Sequence, residues 1–350
     1  MNSSTKKGIA VVAVVVVILA ASAAVLLNGG QESEGNDITV TWSDDQKLFY
    51  IDVDFDYKFD GYLATGSTTM VELNNYLKEN VTNGTGIGGA GSTACSTFAV
   101  SDEDGDLLLA RNLDFSGSVA AVVHTDPENG YESLSIVNLN VFGYTAGDTP
   151  ETLAAKDAVR AVAYMPMDGV NEKGVSVSIN AVENSGYASM THEGRTPIFI
   201  TTALRLILDN ADSTDKALEL LMDYDLCMAH YHIMISDASG KTAVVEIYDN
   251  EYYVVETSYM TNHYVSPDLQ GVIEVTESSQ SRYDTVGAAM ESSEGVMDTA
   301  ECFDLLETVK QDNASNQTRW SVVYNKTEGT MTLCLVMDFA TKYTYSLSSA

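Results

Sequence analysis

Apolar and polar positions alternate over residues 38–60, most clearly in Leu48-Phe49-Tyr50-Ile51-Asp52-Val53-Asp54-Phe55, and a period of two predicts strands there. The same signature recurs at 95–101, 107–112, 119–125 and 134–141, separated by Asp-Gly and Glu-Asn-Gly turns, which predicts a meander. Later strands are expected at 175–181, 230–236, 242–248, 252–256, 321–324, 330–337 and 343–347. The period lengthens to 3.6 residues at 68–80, where Met70, Leu73 and Leu77 share a face, and again at 199–208, 215–224, 281–290 and 299–310. Ser213 stands where the helix at 215–224 needs an N-cap. Long antiparallel strands with helices in pairs predict helices covering two stacked sheets, an α+β architecture.

Two stretches punctuate the pattern. Residues 8–27 are apolar except for Ser22, long enough at about 1.5 Å per residue to cross a hydrocarbon core of about 30 Å. Lys6 and Lys7 precede this stretch and Glu32, Glu34 and Asp37 follow it, so the expectation is a single-pass anchor with the body outside the cell. A signal peptide cleaved near Ala21-Ser22-Ala23 is the rival reading. The second stretch, residues 83–91, is too rich in glycine to hold regular structure. The expected organisation is therefore an anchor at 1–30, a leader at 31–94 that either leaves or stays as a subunit, and a catalytic domain at 95–350.

The net charge of -32 would repel a phosphate backbone, so nucleic acid is excluded as a partner. Asp102-Glu103-Asp104-Gly105-Asp106 lacks the later ligands of a calcium loop and reads as a turn. Six Asn-x-Ser/Thr triplets, at Asn2, Asn80, Asn83, Asn313, Asn316 and Asn325, are compatible with export. None of the four cysteines forms a C-x-x-C pair, and Cys227, Cys302 and Cys334 lie in apolar surroundings that suit small core residues. Nothing calls for a metal or a cofactor: no H-E-x-x-H is present, and Gly86-x-Gly88-x-x-Gly91 lacks the strand and helix of a dinucleotide site. There is no G-x-S-x-G elbow either.

Cys95 differs from the other cysteines in context. It opens a strand whose hairpin partner carries Arg111 and Asp114, which brings a guanidinium and a carboxylate near a thiol; an adjacent cation lowers a thiol's pKa.

The run Cys-Ser-Thr-Phe … Asp-Gly-Asp-Leu-Leu-Leu-Ala-Arg-Asn-Leu-Asp-Phe, from Cys95 to Phe115, resembles the linear amide C–N hydrolases, the choloylglycine hydrolase and penicillin V acylase group of N-terminal nucleophile hydrolases. Further segments match in order: Asp168-Gly169-Val170-Asn171-Glu172-Lys173-Gly174-Val175 before Asn180, Met260-Thr261-Asn262-His263, Gln280-Ser281-Arg282-Tyr283 and the strand from Arg319 to Asn325. The resemblance implies a four-layer αββα sandwich, with Cys95 as the nucleophile and its own α-amino group as the base. It also implies an oxyanion contact from Asn262 with a second donor around Asn180, and orienting roles for Arg111, Asp114 and Arg282. The expected substrate is a small-molecule N-acyl amide. An extended leader ahead of Cys95 departs from the relatives that only trim an initiator Met or a signal peptide, and requires the Ala94–Cys95 bond to be broken, as in the acid ceramidase group. Two other classes stay open: an inactive binding module on the same fold, and a conventional cysteine peptidase with a histidine partner.

Overall fold

Alternation at the start of the chain becomes a hairpin: β1 (Ile38–Trp42) and β2 (Phe49–Val53) pair antiparallel, with Ile38 opposite Val53, and their alternate residues are buried. The computed structural model describes residues 38–89, 94–186, 189–227, 230–313 and 316–348. After the hairpin come α1 (Phe59–Thr65) and α2 (Met70–Asn80), the latter capped by Thr69, whose side chain accepts from the Glu72 amide. Leu48, Ile51, Tyr62, Leu73 and Leu77 are fully buried, and each such apolar side chain contributes about 1.5–3 kcal/mol. The segment expected as a leader is thus built into the core.

A second hairpin joins β3 (Ala94–Ser101) to β4 (Leu107–Asp114) through a turn in which Gly105 takes φ 90°, a conformation a side chain would strain. The chain continues through β5 (Ala120–Thr125), β6 (Ser133–Asn138), α3 (Pro150–Ala154), β7 (Asp168–Asn171), β8 (Ser176–Ala181), β9 (Thr196–Phe199), α4 (Ile200–Asn210), α5 (Thr214–Met222) and β10 (Tyr224–Cys227). Ser213 caps α5 as expected. There follow β11 (Tyr231–Ser236), β12 (Thr242–Tyr248), β13 (Glu251–Val255), β14 (Tyr259–Met260), α6 (Glu277–Ser292), α7 (Thr299–Thr308), β15 (Thr318–Asn325), β16 (Thr330–Leu335) and β17 (Tyr343–Ser346).

Nine strands form one sheet in the order β1-β2-β5-β6-β7-β8-β11-β12-β13, and six form another in the order β14-β3-β4-β15-β16-β17. A short parallel pair, β9 and β10, stands apart. Helix α4 packs on β7 and β8, β8 faces β3, and α6 and α7 cover β3, β4 and β15, so two sheets lie between two helical layers. Every residue of β8 and β11 is buried, as expected for strands covered on both faces.

Three expectations change. The run of four strands is not one meander: β3–β4 and β5–β6 fall in different sheets, because the chain crosses the sandwich between Asp114 and Ala120. The strand expected to reach 337 stops at Leu335, where Val336 and Met337 turn into the left-handed region at φ 49° and 63°. The expected membrane localisation is corrected as well. Among the described residues no helix is long and apolar enough to cross a membrane, and the apolar stretch at 8–27 lies outside them.

Candidate active site

Register decides which side chains meet. Cys95 lies opposite Leu113 and Thr97 opposite Arg111, so Cys95, Thr97 and Arg111 point from one face of the β3–β4 pair toward β8. Arg111 donates from Nη2 to the Cys95 sulfur at 3.4 Å and to the Ile179 carbonyl at 2.6 Å, and from Nη1 to the Met167 carbonyl at 2.8 Å. Its ion pair is with Asp168 of β7, both groups fully buried. Asp168 also accepts from Trp320 Nε1 at 3.2 Å and from the Tyr324 hydroxyl. Burial works against the guanidinium's charge, but Asp168 and Cys95 outweigh it and hold its pKa above the ordinary arginine value. Asn180 joins this face, accepting from the Thr97 hydroxyl at 3.0 Å and donating to the Thr261 carbonyl at 3.1 Å.

Asp114 is on the other face. It is three residues from Arg111, an odd number, so a strand's period of two sends the two side chains apart. Asp114 and Thr318 are partners across β4 and β15, and the Thr318 hydroxyl donates to Asp114 Oδ1 at 2.5 Å. Burial pushes its carboxyl up to about 7 against the opposing pull of Arg282, Thr318 and Arg111. The hairpin does carry both a guanidinium and a carboxylate, but on opposite faces: Asp168 holds Arg111, and Asp114 stands beside Ala94, its partner across β3 and β4.

The backbone of Cys95 is gripped between these faces. Its N–H donates to Asn262 Oδ1 at 2.8 Å, and its carbonyl accepts from Arg282 Nη1. Arg282, on α6, also donates to Ser96 Oγ at 2.9 Å and to Asn262 Oδ1 at 2.8 Å. Burial lowers its pKa from the ordinary arginine value despite Asp114 and Cys95. Asn262 in turn donates from Nδ2 to the Ala181 carbonyl at 2.7 Å, and its own amide donates to Ser279 Oγ at 2.9 Å. All six residues singled out in the sequence, Cys95, Arg111, Asp114, Asn180, Asn262 and Arg282, thus belong to one buried cluster.

Five buried side-chain polar atoms among the described residues lack a hydrogen-bond partner, and three of them, Arg111 Nε, Asp114 Oδ2 and Arg282 Nε, are in this cluster. Such orphans are costly, and their concentration around one cysteine marks a site where bonding capacity is kept in reserve. Cys227, Cys302 and Cys334 lie outside this cluster, as buried thiols whose pKa is raised, chiefly by burial.

Sequence reasoning missed Asp168, Thr318, Ser279, Trp320 and Tyr324. Asp168 opened a segment read only as leading to Asn180, and its side chain is the first of the short strand β7. The histidines have other attachments: His263, lowered to about 4 mainly by burial, lies 2.8 Å from Ser279 Oγ, and His232 lies between Glu246 and the Thr261 carbonyl.

Comparison with known proteins adds to this geometry. The chain is similar to a mutant of the conjugated bile acid hydrolase from Clostridium perfringens, with 17% identity, a TM-score of 0.57 and coverage of 73% of this chain and 93% of that one. A second variant of that hydrolase gives 17% identity and a TM-score of 0.55 over 72% and 92%. Penicillin V acylase from Agrobacterium tumefaciens gives 16% identity and a TM-score of 0.51 over 69% and 83%. At these identities the likeness is one of fold. No curated protein matches by sequence. Residues 161–349 match the family described as acyl-coenzyme A:6-aminopenicillanic acid acyl-transferase, more than half of the chain. The chain shares its fold with the bile acid hydrolase and penicillin V acylase, and the family match makes it a member of the acyl-coenzyme A:6-aminopenicillanic acid acyl-transferase family.

Proposed function

We propose that the chain is a cysteine-nucleophile hydrolase of linear amide C–N bonds, made active by breaking its own Ala94–Cys95 bond. One observation supports this reading most: Arg111 Nη2 stands 3.4 Å from the Cys95 sulfur while Asn262 Oδ1 stands 2.8 Å from the Cys95 nitrogen. The two atoms that an N-terminal cysteine nucleophile needs, sulfur and amine, each already have a polar partner.

In maturation the Cys95 sulfur attacks the Ala94 carbonyl carbon. The C–N bond breaks, a thioester forms and the released nitrogen takes a proton. Asp114, opposite Ala94 and with its carboxyl pushed up to about 7, keeps its proton in the more acidic range and relays the thiol's proton to the nitrogen, giving one up and taking one back. Water then hydrolyses the thioester, leaving an Ala94 carboxylate and a free Cys95 thiol and amine.

In turnover that amine, with a reference pKa of about 7.7–8.0, accepts the thiol proton, and Arg111 stabilises the thiolate. The thiolate attacks the substrate's amide carbon, and a side-chain N–H of Asn262, with a second donor around Asn180, stabilises the oxyanion. The leaving amine takes the proton back, and water releases the acyl group. The printed names of the penicillin V acylase and of the family describe acyl chemistry, which supports an acyl-enzyme at Cys95 and an N-acyl amide as substrate. Because the family description names acyl transfer, a second reading has the same acyl-enzyme pass its acyl group to an amine.

The decisive experiment is Cys95→Ala, read by intact mass and by release of free amine from a panel of N-acyl amides. The variant should remain a single chain and be inactive. Wild-type turnover in this variant would overturn the nucleophile assignment. Adding a second amine to the wild-type reaction separates the two acceptors, since transfer would yield a new amide in place of the free acid.

A further inference from the structure

Asp52 and His124 are partners across the parallel β2–β5 pair. His124 Nδ1 lies 2.6 Å from Asp52 Oδ1, and its Nε2 lies 2.9 Å from Glu132 Oε1. Glu132, at the entrance to β6, also accepts from the Ser348 amide at 2.9 Å and from the Ser348 hydroxyl. Tyr50 of β2 stacks on the imidazole at 6.4 Å and 16°, and on Tyr345 of β17 at 5.2 Å and 14°. The Tyr343 hydroxyl donates to Asp45 Oδ2, in the β1–β2 turn, at 2.7 Å. One partly exposed imidazole therefore sits where three pieces of chain meet: the hairpin ahead of Cys95, the β5–β6 pair after it, and the C-terminal strand.

We propose that His124 is a proton-operated lock on the hairpin: as an imidazolium it ties Asp52 to Glu132, and as a neutral imidazole it lets β2 come away from β5. The chemistry is a matter of counting protons. An imidazolium has two N–H groups, one for each carboxylate, and leaves the triad with one net negative charge. A neutral ring has one N–H, so one carboxylate loses its donor and two negative charges face each other across the ring.

The other titratable groups around the ring do not replace the lost proton. Tyr50 is raised far above the ordinary phenol value, chiefly by burial, and Tyr345 is pushed up to about 12 by burial and by Asp45 and Asp44, so both are neutral. Burial of His124 favours loss of its proton, but the bonds to Asp52 and Glu132 outweigh it and hold the ring above the ordinary imidazole value. With the folded value raised, the lock is fully made below the pH at which a free imidazole titrates, and is lost as the pH climbs through the raised value.

The consequence rests on the maturation reading, since only a cut at Ala94–Cys95 turns the hairpin into a separate chain held by such contacts. The test uses full-length protein whose cut is verified by intact mass. Gel filtration in sub-denaturing urea over a pH series then follows the chain ending at Ala94. It should co-elute with the catalytic chain at acidic pH and dissociate as pH rises, its dissociation constant growing about tenfold per unit by which the folded imidazole exceeds its free value. His124→Gln and, independently, Asp52→Asn should flatten that profile at weak retention. A wild-type profile that does not change with pH, or a His124→Gln profile as steep as the wild type's, would overturn the lock; the residual slope left by Asp114 is removed by running both in an Asp114→Asn background. If intact mass shows no cut, the maturation reading fails and the lock is read in the uncut chain. A difference in urea midpoint between wild type and His124→Gln that closes at alkaline pH supports it, and a constant or absent difference overturns it.

Discussion

Arg111 and Arg205 are both completely buried and each is paired with one carboxylate, yet their surroundings differ in what is left over. Arg205 donates to the Ala163 carbonyl, Thr125, Ser133, Ser135 and Asp209, and Asp209 accepts from the Tyr57 hydroxyl at 2.7 Å. That network ties α4 to β5, β6 and the segment before Cys95. Arg111 pairs with Asp168 but keeps an unpartnered Nε and turns one N–H toward a thiol. A buried ion pair by itself is weak grounds for stability, because desolvation offsets the attraction. What separates the two is satisfaction: the Arg205 cluster is bonded throughout, whereas the Arg111 cluster keeps buried polar atoms without a hydrogen-bond partner.

The contrast is broken or sharpened most strongly at the arginines themselves. Arg111→Gln should lower turnover per folded molecule by about 1000-fold, because the thiolate loses its cation, and should also cost stability because Asp168 is left buried without its partner. Arg205→Gln should leave turnover per folded molecule unchanged but cost about 3–5 kcal/mol in unfolding free energy, since Asp209 is left buried without its cation. Equal loss of activity in both variants would erase the distinction.

A smaller effect is expected at Asn262. Its replacement by Ala should reduce turnover by about 100-fold, the value of one oxyanion donor. An unchanged turnover number in steady-state assays of a fully cleaved sample would remove it from the reaction.

The next step down is a pH effect at Asp114. Its carboxyl lies at about 7 in the fold, against an ordinary 3.8. The folded value is the higher one, so below about pH 4 the group is neutral in both states and contributes nothing. As pH rises toward 7 the unfolded chain loses its proton first, and stability falls. In an uncut Cys95→Ala background, Asp114→Asn should therefore match its parent near pH 4 and exceed it at pH 7 by on the order of 4 kcal/mol. Denaturation midpoints separated equally across that range would show that Asp114 does not titrate there.

The smallest change belongs to Cys227, a thiol in the core with no place in the cluster. Cys227→Ala should leave cleavage and turnover intact and cost about 1 kcal/mol in thermal or urea unfolding. Loss of activity would mean that the cluster does not contain all of the chemistry.

Much of this was legible before any coordinates. Strand alternation at 95–101 and 107–112, the Asp-Gly turn between them and the cap at Ser213 are local signals, and the elements they predict are present because propensity, turn chemistry and burial agree there. The six cluster residues were recognisable because they recur as short motifs in a fixed order along the chain. Less local facts were not. Helix α1 and the pair β9–β10 carry no clear period, and their places are set by contacts with distant segments.

The sequence by itself determined the element types, the break before Cys95 and the identity of the nucleophile candidate, since each is a property of neighbouring residues. Only the tertiary structure decided which carboxylate serves which arginine. Asp168 is 57 positions from Arg111, and Thr318 is 204 from Asp114. A strand's period of two forbids the nearer pairing of Arg111 with Asp114, and only the stacking of one sheet on the other brings the true partner within reach.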